Sequence, residues 1–326
     1  MSSPRKIRVA LTGCGAWGQN LMKTVAALPS AELCAVVDSN AEQLARVPAH
    51  APLARLFTRM EDALALPLDA MLIATPAHTH AALVMQALSA GLDVFVEKPM
   101  AHSLAWAERC ALKAEELGRI GMVGHLLRYH PTVLRLLAHA RSGRLGALRV
   151  FEASRKGSVS DRASTILWSL GPHDLSVLSA LDPSPVISID AKWIEEGTHV
   201  RMELGLASGL VARIELSRFG AEKERKMAIF GDLRSAHFDD VRAPEKLSFF
   251  SRASGAQEGE EHCEHGQRPL HAELSHFLDC VKSRRKALSS FAEGVAVVRL
   301  ITRVEAACRP LLRAHSEIEA PELGTA

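Results

Sequence analysis

Short apolar runs alternate with amphipathic stretches along the first third of the chain. Strands are predicted at residues 7–12, 32–37, 53–57, 70–74, 93–96 and 120–123. Between them, helices are predicted to end near Leu28 and to cover residues 78–90 and 103–117. Strands that alternate with helices at this spacing form a parallel sheet covered on both faces.

The pattern changes after about residue 122. Residues 199–206 and 210–218 alternate apolar and polar side chains with period two, which is typical of an antiparallel sheet with one buried and one polar face. The remaining predictions are a helix at 131–141, a strand at 147–153, mainly strand over 186–250, a polar loop at 251–267, and helices at 270–282 and 293–307.

Composition narrows the class of protein. The 326 residues are enough for two domains, and 39 Lys and Arg against 37 Asp and Glu leave a net charge of +2. This balance provides no basic surface for nucleic acid. No uninterrupted apolar stretch approaches the ~18 residues of a membrane span, so no membrane association is predicted. The 6 cysteines are scattered without a Cys-x-x-Cys pair, which predicts reduced thiols and a cytoplasmic location.

A glycine-rich turn follows the first strand directly. Its sequence, GCGAWG at residues 13–18, has the G-x-G-x-x-G spacing of a dinucleotide-binding turn. The first glycine permits the tight turn, the second lets the backbone approach a pyrophosphate, and the third lets helix and strand pack closely. The helix N-terminus then faces the phosphates.

Asp38 ends the second strand, where a carboxylate would bond the adenosine ribose hydroxyls. The same carboxylate would repel a 2′-phosphate, so NAD is favoured over NADP as the cofactor. Ser39 and Arg46 are nearby polar residues, so NADP stays possible as the cofactor.

Two further strand ends carry candidate site residues. Thr75 and Pro76 follow the fourth strand, and Glu97 and Lys98 precede Pro99 at the end of the fifth. Ligands of such sheets lie at the carboxyl ends of the strands, so these residues are predicted to line the crevice. The predicted cofactor-binding residues are Gly13, Gly15, Ala16, Trp17, Gly18, Asp38, Thr75, Pro76, Glu97 and Lys98.

Most histidines away from this edge are interpreted as structural or surface residues. His78 and His80 are interpreted as capping or surface residues, and the HCEH segment at 262–265 as a solvated loop, so no metal site is predicted. His173 follows Gly-Pro and is predicted to open an amphipathic helix. A histidine there suits proton exchange with a hydroxyl, although a structural hydrogen bond explains it equally well.

The glycine motif, the acidic strand end, AGLDVFVEKPM and GPHDLSVL occur in this order. Together they resemble the Gfo/Idh/MocA family (glucose–fructose oxidoreductase, inositol dehydrogenase and rhizopine catabolism) over nearly the whole chain. The resemblance implies an α/β fold with an N-terminal Rossmann domain, a doubly wound parallel sheet, at residues 1–122. It implies a C-terminal α/β domain with a large, mainly antiparallel open sheet at residues 123–326. Members mostly oxidise or reduce a sugar or polyol carbon with NAD(P).

By the same resemblance, Lys98 corresponds to the lysine between nicotinamide and substrate, and His173 to the histidine that bonds the reacting hydroxyl. These two are the predicted catalytic residues. One position departs from the family pattern: many members carry an aspartate four residues before the histidine, where this chain has Ser169. The predicted substrate-binding residues are Lys98, Arg128, Arg155, Lys156, Trp168, His173 and Asp174.

The predicted activity is hydride transfer between NAD(P) and a hydroxyl carbon of a sugar. Segments around Arg128 and Lys156 look closest to nucleotide-sugar dehydrogenases, which suggests oxidation at C3 of a UDP-amino sugar. Two alternatives stay open: an NAD-dependent glycosidase acting by transient oxidation, and a non-catalytic NAD(P)- or sugar-binding regulator. The strands at 199–218 are expected to present an apolar face that a homodimer or homotetramer covers.

Overall fold

The computed structural model describes residues 5–157, 164–263 and 266–308. A first sheet has six strands in the order β3-β2-β1-β4-β5-β6, and its neighbouring strands all pair in parallel. The strands are β1 (Ile7–Thr12), β2 (Ala31–Val37), β3 (Arg55–Phe57), β4 (Ala70–Ile73), β5 (Asp93–Glu97) and β6 (Gly121–Gly124). The connecting helices are α1 (Ala16–Ala27), α2 (Ala41–Leu44), α3 (Met60–Leu64), α4 (His80–Ser89) and α5 (Leu104–Glu116).

The first sheet confirms the predicted doubly wound arrangement. The strand order reverses between β1 and β4, because the chain leaves β1 towards β2 and returns on the other side of β1. Such a reversal opens a crevice at the carboxyl ends of the central strands, where these folds bind ligands. The glycine-rich turn and the ends of β4, β5 and β6 all lie along this edge.

A second sheet has eight strands in the order β14-β13-β12-β11-β7-β10-β9-β8. Only β7 and β10 pair in parallel, so the sheet is mainly antiparallel, as expected. Its strands are β7 (Leu148–Lys156), β8 (Val186–Glu195), β9 (His199–Leu206), β10 (Val211–Ser217), β11 (Glu224–Gly231), β12 (Arg234–Asp239), β13 (Ala243–Ser251) and β14 (Gln257–His262). The helices of this part are α6 (Pro131–Arg141), α7 (Ile166–Leu181), α8 (Pro269–Ser283) and α9 (Phe291–Cys308).

The two faces of the second sheet differ in character. The side chains of Val200, Met202 and Leu204 are buried on the face that packs against α7 and α9. The opposite face carries ion pairs such as Arg213 with Glu203, at 2.9 Å. The expectation that the apolar face needs a second subunit to cover it is therefore wrong, because the chain's own helices cover it.

The predicted polar loop at 251–267 is also partly wrong. Residues 257–262 form β14, which pairs with β13 at the edge of the sheet. The sequence of β14, QEGEEH, contains no apolar side chain and therefore shows no strand pattern, because an edge strand needs few apolar residues. His265, part of the HCEH segment, lies outside the described residues.

The C-terminal helices pack back onto the first sheet. The Phe277 ring of α8 meets the Phe95 ring of β5 edge-on, with centroids 5.8 Å apart. Gly294 of α9 lies so close to Val123 that an added Cβ would be 2.6 Å from its side chain. The first sheet ends at Gly124, two residues past the predicted division. Among the described residues, no helix is both long and apolar enough to cross a membrane.

Candidate functional site

The glycine-rich turn joins β1 to α1 with little space on its inner side. Gly13 has φ +92°, and a Cβ there would be 2.7 Å from the Ala74 backbone. A Cβ on Gly18 would be 2.0 Å from the Gly13 carbonyl oxygen. At Gly15, by contrast, an added Cβ would meet nothing within 4 Å, so this residue faces open space at the N-terminus of α1. The steric surroundings of the three glycines therefore fit the separate roles that the motif predicts.

Asp38 lies beside this turn. Its Oδ2 accepts a hydrogen bond from the Cys14 backbone N–H at 2.8 Å, and its Oδ1 accepts one from the Asn40 N–H at 2.9 Å. Each carboxylate oxygen keeps a second lone pair for a hydroxyl donor. The helix N-terminus has no side-chain cap and no acidic residue in its first turn, so it suits a phosphate. These features fit an adenine dinucleotide.

His80 joins the ends of β4 and β5. Its Nε2 lies 2.8 Å from the Thr75 carbonyl oxygen and its Nδ1 lies 2.8 Å from the Pro99 carbonyl oxygen. The interpretation of His80 as a capping or surface residue is therefore wrong, because its side chain is buried; His78 is exposed. His80 can be buried at the start of a helix because backbone carbonyl oxygens near the neighbouring strand ends lie within hydrogen-bonding distance of its ring.

Lys98 reaches from the first sheet to the second part of the chain. Its Nζ donates a 2.8 Å hydrogen bond to the backbone carbonyl oxygen of Ser169 in α7. A proline inside a helix lacks a donor and crowds the carbonyls of the preceding turn, and Pro172 follows Ser169 by three residues. The proline removes the N–H that would bond the Trp168 carbonyl, so the helical hydrogen bonding is interrupted one residue before the carbonyl that Lys98 binds.

The structure corrects the helix predicted around His173. The helix begins at Ile166, so His173 lies in its middle, one turn beyond Ser169. Gly-Pro suggested a helix start, but apolar packing of Ile166, Leu167 and Leu175 carries the helix through Pro172. His173 therefore faces the Lys98 side of the helix rather than capping its end.

His173 is held in its neutral form. Burial lowers its pKa well below the usual range, and the positive charges of Lys98 and Arg155 lower the pKa further. Its Nδ1 is buried and has no hydrogen-bond partner among the described residues. A neutral imidazole offers one donor and one acceptor, which is what a hydroxyl group requires.

Asp174 and Arg155 bind each other instead of lining the crevice. Arg155 Nε lies 2.9 and 2.7 Å from the two Asp174 carboxylate oxygens, and both side chains are buried. The pair joins β7 to α7 behind His173. We interpret it as a contact that orients α7, since removing one partner of a buried ion pair is costly.

The three predicted phosphate-binding cations do not converge. Arg128 is buried and pairs with Glu293 of α9, while Lys156 lies on the open face of the second sheet, 3.1 Å from Glu215. With Arg155 bound to Asp174, the argument for a diphosphate site from these residues is not supported. Trp168 is buried too, and its Nε1 donates to Glu305 at 3.1 Å.

Two buried carboxyl groups, those of Glu97 and Glu273, lie close enough to interact electrostatically. Glu97 accepts a hydrogen bond from the Trp17 indole N–H at 2.5 Å, which connects it to the glycine-rich turn. Burial raises the pKa of Glu97 to about 7, although Trp17 and Lys98 oppose this shift. Glu273 of α8 is fully buried, and neither carboxyl oxygen has a partner among the described residues. Burial, and then the charge of Glu97, raises the pKa of Glu273 well above its usual range.

Comparison with known proteins agrees with this geometry. Residues 7–125 match the model of the oxidoreductase family with an NAD-binding Rossmann fold, Gfo/Idh/MocA. Residues 7–125 therefore form an NAD-binding Rossmann domain of the Gfo/Idh/MocA oxidoreductase type. An Acidithiobacillus ferrooxidans UDP-N-acetylglucosamine 3-dehydrogenase is 29% identical over 307 residues, 90% of this chain and 94% of the relative.

Two further comparisons extend the family assignment. A solved structure of the Acidithiobacillus ferrooxidans UDP-N-acetylglucosamine 3-dehydrogenase superimposes with a TM-score of 0.82 at 27% identity, covering 93% of this chain and 98% of the other. An inositol 2-dehydrogenase of Corynebacterium glutamicum is 30% identical over 195 residues, 58% of each chain. The α/β fold with a mainly antiparallel second sheet is thus shared.

Three buried polar residues were not selected as site candidates from the sequence: His80, His125 and Glu273. His125 directly follows β6, so the rule that selected Lys98 at the end of β5 would also have selected it. Glu273 falls between Leu270 and Phe277 at helical spacing, on the apolar side of α8. A carboxyl group on an apolar face was the available signal.

Glu273 makes the stability of the oxidoreductase depend on pH. A carboxyl whose folded-state pKa is raised contributes stability that is present below its unfolded pKa, near 4.5, and is lost as pH rises towards the folded pKa. We expect Glu273→Gln to gain about 1.4 kcal/mol of relative stability per pH unit over that window. Denaturant unfolding of both proteins from pH 5 to pH 9 measures this difference.

The exposed Glu115 of α5 provides the matched control, Glu115→Gln. Its stability relative to the parent should not change with pH over the same range. A Glu273→Gln variant whose stability stays parallel to the parent's at every pH would contradict a protonated Glu273.

Proposed function

We propose that this oxidoreductase transfers hydride from a hydroxyl carbon of a sugar to NAD, with Lys98 and His173 as its catalytic residues. The observation that carries the proposal is the bond from Lys98 to the Ser169 carbonyl oxygen, at 2.8 Å. It brings the lysine of one sheet within one helical turn of His173, whose Nδ1 is buried and finds no hydrogen-bond partner in the described ranges.

The chemistry divides between the two residues. Oxidation of a carbinol removes a hydride from carbon and a proton from oxygen. A bound nicotinamide would supply the hydride acceptor. The Lys98 ammonium stabilises the negative charge that develops on the oxygen. His173 is kept neutral, so its unprotonated nitrogen is present at neutral pH and accepts the hydroxyl proton.

The supporting residues hold these two groups in place. Glu97 lies directly before Lys98 and accepts a hydrogen bond from the Trp17 indole. A change in the glycine-rich turn would therefore alter the position of the lysine. Asp174, next to His173, is bound to Arg155 of β7. Lys98 and His173 are thus anchored to separate sheets, and the catalytic geometry depends on the packing between them.

Lys98→Met is expected to lower kcat by ~10²–10³-fold, the usual loss when one group that stabilises a developing oxyanion is removed. NAD affinity should stay within about twofold, because the methionine keeps the length of the side chain. Stopped-flow NADH formation measures the rate, and calorimetry measures the affinity.

Lys282→Met, at an exposed position of α8, is the control for loss of one lysine charge. The kcat of this control variant should equal that of the parent protein. Near-normal turnover of Lys98→Met on a sugar that the parent oxidises would show that the Glu-Lys-Pro corner is structural.

As the substrate we propose a UDP-linked amino sugar, oxidised at C3. The support is similarity over 90% of the chain to the UDP-N-acetylglucosamine 3-dehydrogenase. The basic residues Arg128, Arg155 and Lys156 give no additional support, since each is paired with a carboxylate. NADH formation with UDP-N-acetylglucosamine, compared with inositol, tests this assignment, and turnover of inositol alone would reject it.

For the cofactor we propose NAD rather than NADP. The Asp38 carboxylate beside the turn would repel a 2′-phosphate, so Asp38→Asn should shift the affinity ratio towards NADP by about tenfold, equivalent to about 1.4 kcal/mol. Asparagine removes the charge and keeps one acceptor oxygen, which can serve the Cys14 or the Asn40 N–H but not both. Calorimetry with both cofactors measures the ratio.

Asp62→Ala, an exposed change in α3, should leave the cofactor ratio unaltered. Tighter binding of NADP than NAD by the parent protein would reject the assigned role of Asp38.

We also propose that two copies associate through the open face of the second sheet. This face has a depression of about 720 Å³ whose lining includes Arg213, Glu203, Lys226 and Phe230. Side chains of both signs alternate there, so a two-fold related copy can place unlike charges opposite each other. Light scattering at micromolar concentration should give a dimer or a tetramer.

Arg213→Glu should weaken this association, whereas Arg149→Glu, outside the depression, should not. A monomeric parent protein in the same measurement would contradict the proposal. The cytoplasmic location stays a prediction.

A further inference from the structure

His125 occupies the strand end beside Lys98. In the parallel pair of β5 and β6, Glu97 is opposite Gly124, so His125 takes the register position next to Lys98. The side chain is 1% exposed, and neither ring nitrogen has a hydrogen-bond partner among the described residues. The contrast with His80 is direct, since both nitrogens of that buried ring lie 2.8 Å from carbonyl oxygens.

The charge state of His125 follows from its surroundings. Burial lowers its pKa to about 3, and the positive charges of Arg128 and Lys98 contribute to the lowering. The ring is therefore neutral and presents one N–H donor and one nitrogen acceptor. A hydroxyl group can satisfy either nitrogen, because it both donates and accepts.

His125 and His173 approach the same region from different parts of the chain. His125 follows a strand of the first sheet, and His173 lies in α7. The two rings are close enough that His125 affects the pKa of His173, and Lys98 affects both. Each ring has at least one buried nitrogen without a partner in the described part of the chain. Two neutral imidazoles thus flank one ammonium group at the crevice.

We propose that His125 is a substrate-binding residue, which holds a second hydroxyl group of the sugar while Lys98 and His173 hold the reacting one. This inference rests on the proposed function and adds a determinant of substrate orientation to it. Buried polar groups are nearly always hydrogen-bonded, so two unpartnered nitrogens beside a catalytic lysine indicate a polar ligand. A vicinal diol or polyol has adjacent hydroxyls for the two neighbouring groups.

The first test is His125→Phe, which keeps a planar ring and removes both polar nitrogens. With a saturating concentration of NAD, kcat/KM for the sugar should fall about 10- to 100-fold, with most of the loss in KM. NAD affinity should change less than about twofold. The melting temperature should stay equal or rise, because a buried polar group without a protein partner is replaced by an apolar one.

A second variant and a matched control separate binding from folding. His125→Asn keeps one donor and one acceptor and should recover part of the lost kcat/KM. His130→Phe changes another buried histidine of the same segment, whose Nε2 lies 3.5 Å from Asp240. That variant should keep kcat/KM and lose melting temperature.

The outcomes distinguish this inference from the proposed function. Unchanged kcat/KM in His125→Phe would overturn the role of His125, as would a lowered melting temperature with parallel losses for NAD and sugar. If the parent reduces NAD with inositol but not with UDP-N-acetylglucosamine, the proposed nucleotide sugar is wrong. The role of His125 is then tested by comparing kcat/KM of the His125 variants with that of the parent on inositol.

Discussion

The hydrogen bond from the Lys98 ammonium to the Ser169 carbonyl oxygen is the contact on which the site depends. It connects the carboxyl end of β5 to α7, and therefore the dinucleotide-binding sheet to the helix that carries His173. Lys98 belongs to a strand end, whose position is set by strand pairing. His173 belongs to a helix whose position is set by packing. The relative placement of the two groups thus follows from how the two sheets are assembled.

A set of buried polar groups surrounds this contact. His80 ties the end of β4 to the Glu-Lys-Pro corner, Glu97 is bonded by Trp17, and Arg155 binds Asp174 behind His173. Several of these groups would destabilise the protein if left without partners. Their concentration around one lysine is typical of a site where charge and proton affinity are adjusted for chemistry. Glu273 differs from these paired groups, since neither of its carboxyl oxygens has a partner among the described residues, and burial and the charge of Glu97 raise its pKa.

Ser169 stands where many members of the family carry an aspartate. In this chain the backbone carbonyl oxygen of that position accepts a hydrogen bond from the Lys98 ammonium. A carbonyl oxygen carries only a partial negative charge, and it stabilises the ammonium less than a carboxylate would. The Asp174 carboxylate does not substitute for it, because Arg155 already neutralises that charge.

The sequence alone determined the parallel sheet, the glycine-rich turn, the acidic end of β2 and the placement of Lys98 at the cofactor edge. These features depend on local periodicity and on a rule about strand ends, so they can be read from neighbouring residues. The mainly antiparallel second sheet was predicted in the same way, except for the charged edge strand β14. Even His125 and Glu273 were accessible to these rules, although neither was selected.

Only the tertiary structure decided which polar residues meet. The sequence does not show that Arg155 would bind Asp174, that Lys156 would lie on the far face of the sheet, or that α7 would continue through Pro172. Each of these depends on packing between segments far apart in the chain. Local patterns indicate that a side chain is buried or exposed, but the partner of a buried charge is set by long-range assembly.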